Sequence, residues 1–238
     1  MNIALIGYGR MGQEIEKVAL GRGHKVKIKI DKHNLNEFIP SNFSEIDAAI
    51  EFSFPDSAYE NVKKCLEMNI PVVSGTTGWG EKYNDAVELC LANSTSFISS
   101  SNFSVGVNIL FKLNSELAKI MKAQKNYSVS IEEIHHTKKL DAPSGTAITL
   151  AKDIIKQYDT YQDWCFDDDK KDGFIPIRCI REGLVPGIHS IEWNSDIDSI
   201  SLKHDAHSRA GFALGAVLAA EYISDKKGIF TMNNVLGF

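Results

Sequence analysis

The chain has 238 residues, 43% of them hydrophobic and 24% charged, which is the composition of an ordinary soluble globular protein of one or two domains and excludes a fibrous or disordered chain. Its formal net charge of -5 disfavours nucleic acid as the main partner, since a phosphate backbone calls for a basic face, and leaves small molecules as the expected partners. Cys65, Cys90, Cys165 and Cys179 lie too far apart for a zinc set and are too few for a disulfide framework, so a reducing compartment fits.

In chain order, Asn2 to Ile6 reads as a short apolar strand, Gly7 to Gly12 as a glycine-rich turn, and Met11 to Leu20 as a helix with apolar spacing through Met11, Ile15, Val18 and Ala19. Lys25 to Ile30 alternates Val26, Ile28 and Ile30 with lysines, the pattern of a strand with one wet face. Ala48 to Phe52, Pro71 to Ser74 and Ser96 to Ser100 read as further strands, alternating with helices over Pro55 to Met68 and Lys82 to Ala92. Such alternation with short loops predicts a Rossmann-like, doubly wound parallel sheet.

After Asn102 the rhythm changes. A longer helix is predicted over Val105 to Met121, followed by a strand over Tyr127 to Ile134. Strands over Ile175 to Glu182, His189 to Trp193 and Ile200 to His204 come without intervening helices, so the second domain is expected to be α+β with a mixed or antiparallel sheet. The apolar helix Ala210 to Ile223 is expected to return to the first domain, giving a dinucleotide-binding domain of residues 1–103 with 210–238 and a substrate domain of residues 104–209. The acidic segment Asp163 to Asp172 reads as a solvated loop. Neither a signal sequence nor an apolar stretch of membrane length is seen, so a cytoplasmic protein with no membrane contact is expected.

Gly7-Tyr8-Gly9-Arg10-Met11-Gly12 fits G-x-G-x-x-G between a strand and a helix, and Asp31 ends the second strand 19 positions beyond Gly12. The glycines permit a tight turn and close backbone approach to a pyrophosphate, the helix N-terminus favours its negative charge, and Asp31 is placed to accept from ribose hydroxyls. Lys32 beside it could receive a 2′-phosphate, so both NADH and NADPH are expected cofactors; its alternative is a solvated lysine. Gly75, Thr76 and Thr77 follow the fourth strand at the carboxyl edge of the sheet, where they could approach the nicotinamide.

His135-His136-Thr137-Lys138-Lys139 is a burst of potential cation in an acidic chain, and Ser144 reads as the N-cap of a helix that begins at Gly145 and Thr146. Dipole and cations together point to an anion, with a carboxylate-bearing substrate as the natural guest. No metal site is expected, because adjacent histidines point differently and no carboxylate or cysteine completes an obvious set.

Glu133 to Ala147, reading Glu-Ile-His-His-Thr-Lys-Lys-Leu-Asp-Ala-Pro-Ser-Gly-Thr-Ala, resembles the E-x-H-H-x-x-K-x-D-A-P-S-G-T-A signature of the dihydrodipicolinate (4-hydroxy-tetrahydrodipicolinate) reductase family. The resemblance extends to Ser101–Asn108, Gly75–Gly78, Arg181–Gly183 and His207–Arg209, nearly the whole chain. It implies NAD(P)H-dependent reduction of a cyclic dicarboxylate in diaminopimelate and lysine biosynthesis, by a homotetramer assembled through the second domain. It also implies that His135 is a proton donor or acceptor, Lys139 a proton donor, and His136, Gly145 and Thr146 carboxylate binders. Gly75 to Thr77 and Ser100, Ser101, Asn102 and Phe103 are implied on the nicotinamide side. The chain departs from the family in its shorter glycine loop, in a shorter stretch between Asp31 and Ala48, and in Glu51-Phe52-Ser53, where the family writes Asp-Phe-Ser/Thr. Two other readings stay open: a non-catalytic dinucleotide-binding regulator, and a reductase of a different small carboxylate.

Overall fold

A computed structural model describes residues 1–238, which divide into two compact units, Met1–Val105 with Arg209–Phe238, and Gly106–Ser208. In the first unit the strands are β1 (Asn2–Ile6), β2 (Lys25–Ile30), β3 (Ala48–Glu51), β4 (Val72–Ser74) and β5 (Ser96–Ser99). They alternate with helices α1 (Arg10–Gly21), α2 (Pro40–Phe43), α3 (Pro55–Glu67) and α4 (Tyr83–Ala92).

The chain then passes through α5 (Val105–Met121), which opens the second unit with β6 (Ser128–His135), α6 (Gly145–Ile155), β7 (Asp163–Phe166), β8 (Phe174–Arg181), β9 (Gly187–Asn194) and β10 (Ser199–Ala206). It returns to the first unit in α7 (Ala210–Ile223), β11 (Gly228–Phe230) and α8 (Met232–Leu236).

The first sheet is parallel throughout, in the order β11-β5-β4-β3-β1-β2. Chain order runs outward from β1 to β2 and then resumes on the other side at β3, so the topological switch lies between β1 and β3, where ligands of open α/β sheets bind. Two-residue alternation decides what each face covers. Ile3, Leu5, Ile50, Val73 and Ile98 pack with residues of α1 and α7, whereas Ala4, Ile6, Ala49, Val72 and Phe97 pack with α3 and α4. Helix α7 buries Ala213, Ala216, Val217, Ala220 and Ile223, as expected of a helix apolar on nearly every side.

The second sheet is mixed, in the order β10-β9-β6-β8-β7, with β6 antiparallel to β9 and parallel to β8. One face carries Val129, Ile131, Ile175, Ile177, Ile191 and Trp193 under the apolar sides of α5 and α6. The acidic segment Asp163 to Asp172 is not all loop, which corrects the sequence reading: Trp164 and Cys165 in β7 lie against Ile175 and Pro176 of β8, and apolar side chains at the edge of a covered sheet outweigh the flanking aspartates.

Candidate active site

At the carboxyl end of β1 the chain turns at Gly7 with φ +94°, and a Cβ built there would come within 2.0 Å of the Phe52 carbonyl oxygen, so only glycine fits. A Cβ on Gly12 would meet the Gly7 carbonyl oxygen at 2.4 Å, which lets α1 begin hard against the turn. Gly9 is the N-cap of α1 and offers no side-chain cap, and no acidic residue sits in the first turn. The first N–H groups of α1 and its positive dipole end are therefore uncapped, which suits a phosphate.

A cavity of about 630 Å³ opens here, lined by Gly7, Tyr8, Gly9, Arg10 and Met11, by Asp31 and Lys32, and by Gly75, Thr76 and Thr77. Gly12 instead packs under the turn, and Ser100 to Phe103 do not line this cavity: Ser100 Oγ donates to the Asn102 carbonyl at 2.9 Å, and the buried Phe103 ring lies 5.9 Å from that of Phe52. Asp31 Oδ1 accepts from the His33 amide at 2.7 Å, and its second oxygen accepts no hydrogen bond. Lys32 is exposed and unpaired. Tyr8 is held by a hydrogen bond to Glu16 and by Lys29, whose Nζ lies 4.6 Å from the ring centroid. The cavity thus has an uncapped helix N-terminus at one end and a carboxylate oxygen without a donor at another, an arrangement that could take a dinucleotide.

In the second unit, the buried stripe of β6 runs Val129, Ile131, Glu133, His135, so the period that builds the core also turns a carboxylate and an imidazole inward. On β9 the stripe is Gly187, His189, Ile191, Trp193, and Glu133 lies opposite His189. On β8, Arg181 pairs with His135 in the parallel register. Glu133 is fully buried and accepts from the Ser144 amide at 3.1 and 3.0 Å and from Arg181 Nη2 at 3.0 Å. Its Oε2 lies 3.5 Å from His135 Nδ1, an ion-pair distance without hydrogen-bond geometry. Ser144 caps α6 by accepting from the Ala147 amide, and its hydroxyl meets His189 Nε2 at 3.1 Å.

Arg181 Nη2 also donates to the Asp141 carbonyl at 2.7 Å, and Asp141 holds Lys139 Nζ at 2.8 Å through both oxygens. One continuous polar network therefore joins His135, Glu133, Arg181, Asp141 and Lys139 to the start of α6. His136 leaves β6 with its amide bonded to the Val185 carbonyl at 2.8 Å, and Gly145 is exposed at the first turn of α6.

Burial raises the Glu133 carboxyl, but the Ser144 and Arg181 hydrogen bonds outweigh it and hold it below the ordinary carboxylate range. Burial lowers the His135 imidazole, the neighbouring Glu133 charge offsetting only part of this. His189 is pushed down to about 3, chiefly by burial. His135 and His189 are therefore neutral rings at neutral pH.

Sequence reasoning missed Glu133, His189 and Arg181 as members of this site. The expectation that no carboxylate accompanies the histidines is corrected, since ligand atoms of Glu133, His135 and His189 lie within 4.8 Å of one another. Arg181 and the Ser144 amide already occupy that carboxylate, and a cation there would face the guanidinium. The two-residue period around His135 could have marked Glu133; nothing in sequence spacing ties β9 to β6.

Residues 1–103 match the family model described as dihydrodipicolinate reductase, N-terminus, and residues 106–236 match dihydrodipicolinate reductase, C-terminus. A 4-hydroxy-tetrahydrodipicolinate reductase from Christiangramia forsetii is 52% identical, covering 99% of this chain and 98% of its own, and one from Thermosipho africanus is 34% identical with the same coverage. Among solved structures, a dipicolinate-bound dihydrodipicolinate reductase from Paenisporosarcina sp. TG-14 shares the fold with a TM-score of 0.79 at 23% identity, over 97% of both chains. A probable dehydrogenase from Thermotoga maritima aligns at 0.58 and 11% identity, over 99% of this chain and 92% of its own.

Proposed function

The chain belongs to the dihydrodipicolinate reductase family, and from that premise we propose that it reduces 4-hydroxy-tetrahydrodipicolinate to tetrahydrodipicolinate with NADH or NADPH, in diaminopimelate and lysine biosynthesis. The observation that carries the reading is the network on β6 and the start of α6, which sets an imidazole, an ammonium and a helix N-terminus around one loop, as a dicarboxylate requires.

The nicotinamide cofactor supplies a hydride when bound. Gly7 to Met11 would hold its pyrophosphate, Asp31 its adenosine ribose, with Lys32 beside a 2′-phosphate, and Gly75 to Thr77 its nicotinamide side; Ser100 to Phe103, which the resemblance also assigns there, do not line this cavity. His136 and the amides of Gly145 and Thr146 bind substrate carboxylate. The 4-hydroxyl leaves as water to give a conjugated ring, the hydride adds at the carbon that carried it, and a proton must arrive at the neighbouring carbon, for which Lys139 is the donor. His135, neutral because it is buried, orients substrate and can accept a proton, while Lys139, whose side chain is partly exposed, regains its proton from solvent.

Residues 104–209 are then the substrate domain, and through them the chain forms a homotetramer in the cytoplasm. No helix is long and apolar enough to cross a membrane. The solved relative's dipicolinate, a planar dicarboxylate, supports the choice of substrate class.

The deciding assay follows NADH oxidation with the freshly prepared condensation product of pyruvate and aspartate semialdehyde. Turnover is expected, with pyridine-2,6-dicarboxylate competing against substrate. Intact NADH binding without turnover would leave a non-catalytic regulator instead.

A further inference from the structure

Glu51 ends β3 in the middle of the first sheet, in register with Ile6 of β1 on one side and Ser74 of β4 on the other, and it is 0% exposed. A carboxylate is an unfavourable group to bury there unless every lone pair is used. Four donors converge on it. Oε1 accepts from the Ser53 amide at 3.0 Å, from the Ser53 hydroxyl, and from Thr76 Oγ1 at 2.9 Å; Oε2 accepts from Ser74 Oγ at 2.7 Å. Three of the donors meet Oε1 and one meets Oε2, and all are hydroxyls or an amide; burial raises the carboxyl, and these hydrogen bonds oppose that. The Ser53 amide is shared with Thr76 Oγ1 at 2.8 Å, which closes a ring between the two loops.

These two loops, Phe52–Pro55 and Gly75–Thr77, form one wall of the nucleotide cavity. Their packing leaves little slack. A Cβ on Gly75 would fall 2.1 Å from the Phe52 ring, and the Phe52 carbonyl is the group that Gly7 must avoid. The Gly75 amide bonds to the Glu51 carbonyl at 2.9 Å, and the Phe52 amide to the Ile6 carbonyl at 2.8 Å. Glu51 itself does not line the cavity, and neither does Ser74.

We propose that Glu51 is a positioning residue for the cofactor: its buried carboxylate ties the loop after β3 to the loop after β4 and so sets the wall against which the nicotinamide half of the dinucleotide lies. The proposal rests on reading this cavity as the nucleotide site with Gly75 to Thr77 on its nicotinamide side. The adenosine half, at Gly7 to Met11 and Asp31, does not depend on this tie.

The test measures NADH and ADP-ribose affinity for the full-length protein and its variants by titration calorimetry, ADP-ribose lacking only the nicotinamide. Glu51→Met keeps the length and removes the acceptors; NADH should weaken about tenfold, the scale of one charge-assisted hydrogen bond, while ADP-ribose stays within about twofold. Glu51→Gln keeps one oxygen for Ser53 and Thr76, and the Ser74 hydroxyl can turn to accept from its amide, so it should restore most of the NADH affinity. Ser74→Ala, which removes one donor at a residue outside the cavity, should weaken NADH in the same selective way by a smaller factor and serves where Glu51→Met does not fold. Equal weakening of both ligands, or no change in either, would overturn the positioning role. If the unaltered protein bound neither ligand the nucleotide reading itself would fall, and if it bound NADH no more tightly than ADP-ribose the nicotinamide-side assignment would fall with the proposal.

Discussion

Glu133 and His189 stand opposite each other on antiparallel β6 and β9, with the carboxylate Oε2 3.8 Å from the imidazole Nε2 and neither side chain open to water. The ring is neutral in the folded state, pushed down to about 3, chiefly by burial. In the unfolded chain it titrates near its ordinary value of about 6.5. Between those two values the unfolded state binds a proton that the folded state does not, so stability is complete above about 6.5 and is lost as the pH falls, with a slope approaching about 1.4 kcal/mol per pH unit for one such group. His135 and His204 are shifted in the same direction and add to the effect. Urea unfolding at pH 7 and pH 5 should show the loss, and His189→Gln should reduce the difference. An unaltered pH dependence in that variant would remove His189 as a source.

The Arg181–Glu133 pair is half inside, with the carboxylate fully buried and the guanidinium side chain 21% exposed. Arg181→Ala leaves a buried charge with only the Ser144 amide and should cost about 3 kcal/mol. Glu133→Gln in the same background should cost less than the sum of the two single changes, because the unpaired charge is gone. A double-mutant cycle by urea unfolding checks this, and strict additivity would show that the pair contributes no coupling.

For the chemical step, Lys139→Ala and His135→Ala should each lower turnover by about 10² to 10⁴, the range of general acid–base catalysis, with NADH affinity nearly constant. Steady-state rates and separate NADH titrations decide it. A loss of cofactor affinity in proportion to rate would reassign the residue to structural support.

Asp31 and Lys32 occupy adjacent positions on the wall of the cavity, and the proposed function gives them the choice between NADH and NADPH. Asp31→Ala should weaken NADH by about 1.5 to 3 kcal/mol, the value of a hydrogen bond to a charged group, and weaken NADPH less, because the repulsion of its 2′-phosphate goes at the same time. Lys32→Ala should act mainly on NADPH. Competition binding of the two nucleotides measures both, and an unchanged NADH affinity in Asp31→Ala would end its assignment to the ribose.

Much of the first unit was legible because its strands are short apolar runs set between amphipathic helices, and because Gly7 to Gly12 and Asp31 fall where that rhythm puts a nucleotide. The omissions have physical reasons. β7 is four residues long with aspartates around it, and β11 is three, so both depend on a neighbouring strand rather than on their own pattern. The loop His135 to Lys139 announced itself by charge, and Ser144 by its place before an apolar helix. Glu51, Glu133 and His189 did not, because a buried polar side chain looks in sequence like any other polar residue until the strands that surround it are paired.

The first sheet closes on its far edge with β11 against β5, and one of its faces is covered by α7, although the whole second unit intervenes in the chain. Translation therefore delivers this unit in two instalments. Ile3, Leu5, Ile50 and Val73 leave the ribosome long before Ala213, Ala216 and Val217, which cover them. Until residue 223 has been made, that face has only α1 to cover it and is partly open to water, to chaperones and to other nascent chains, while residues 106–208 already have everything their own core requires.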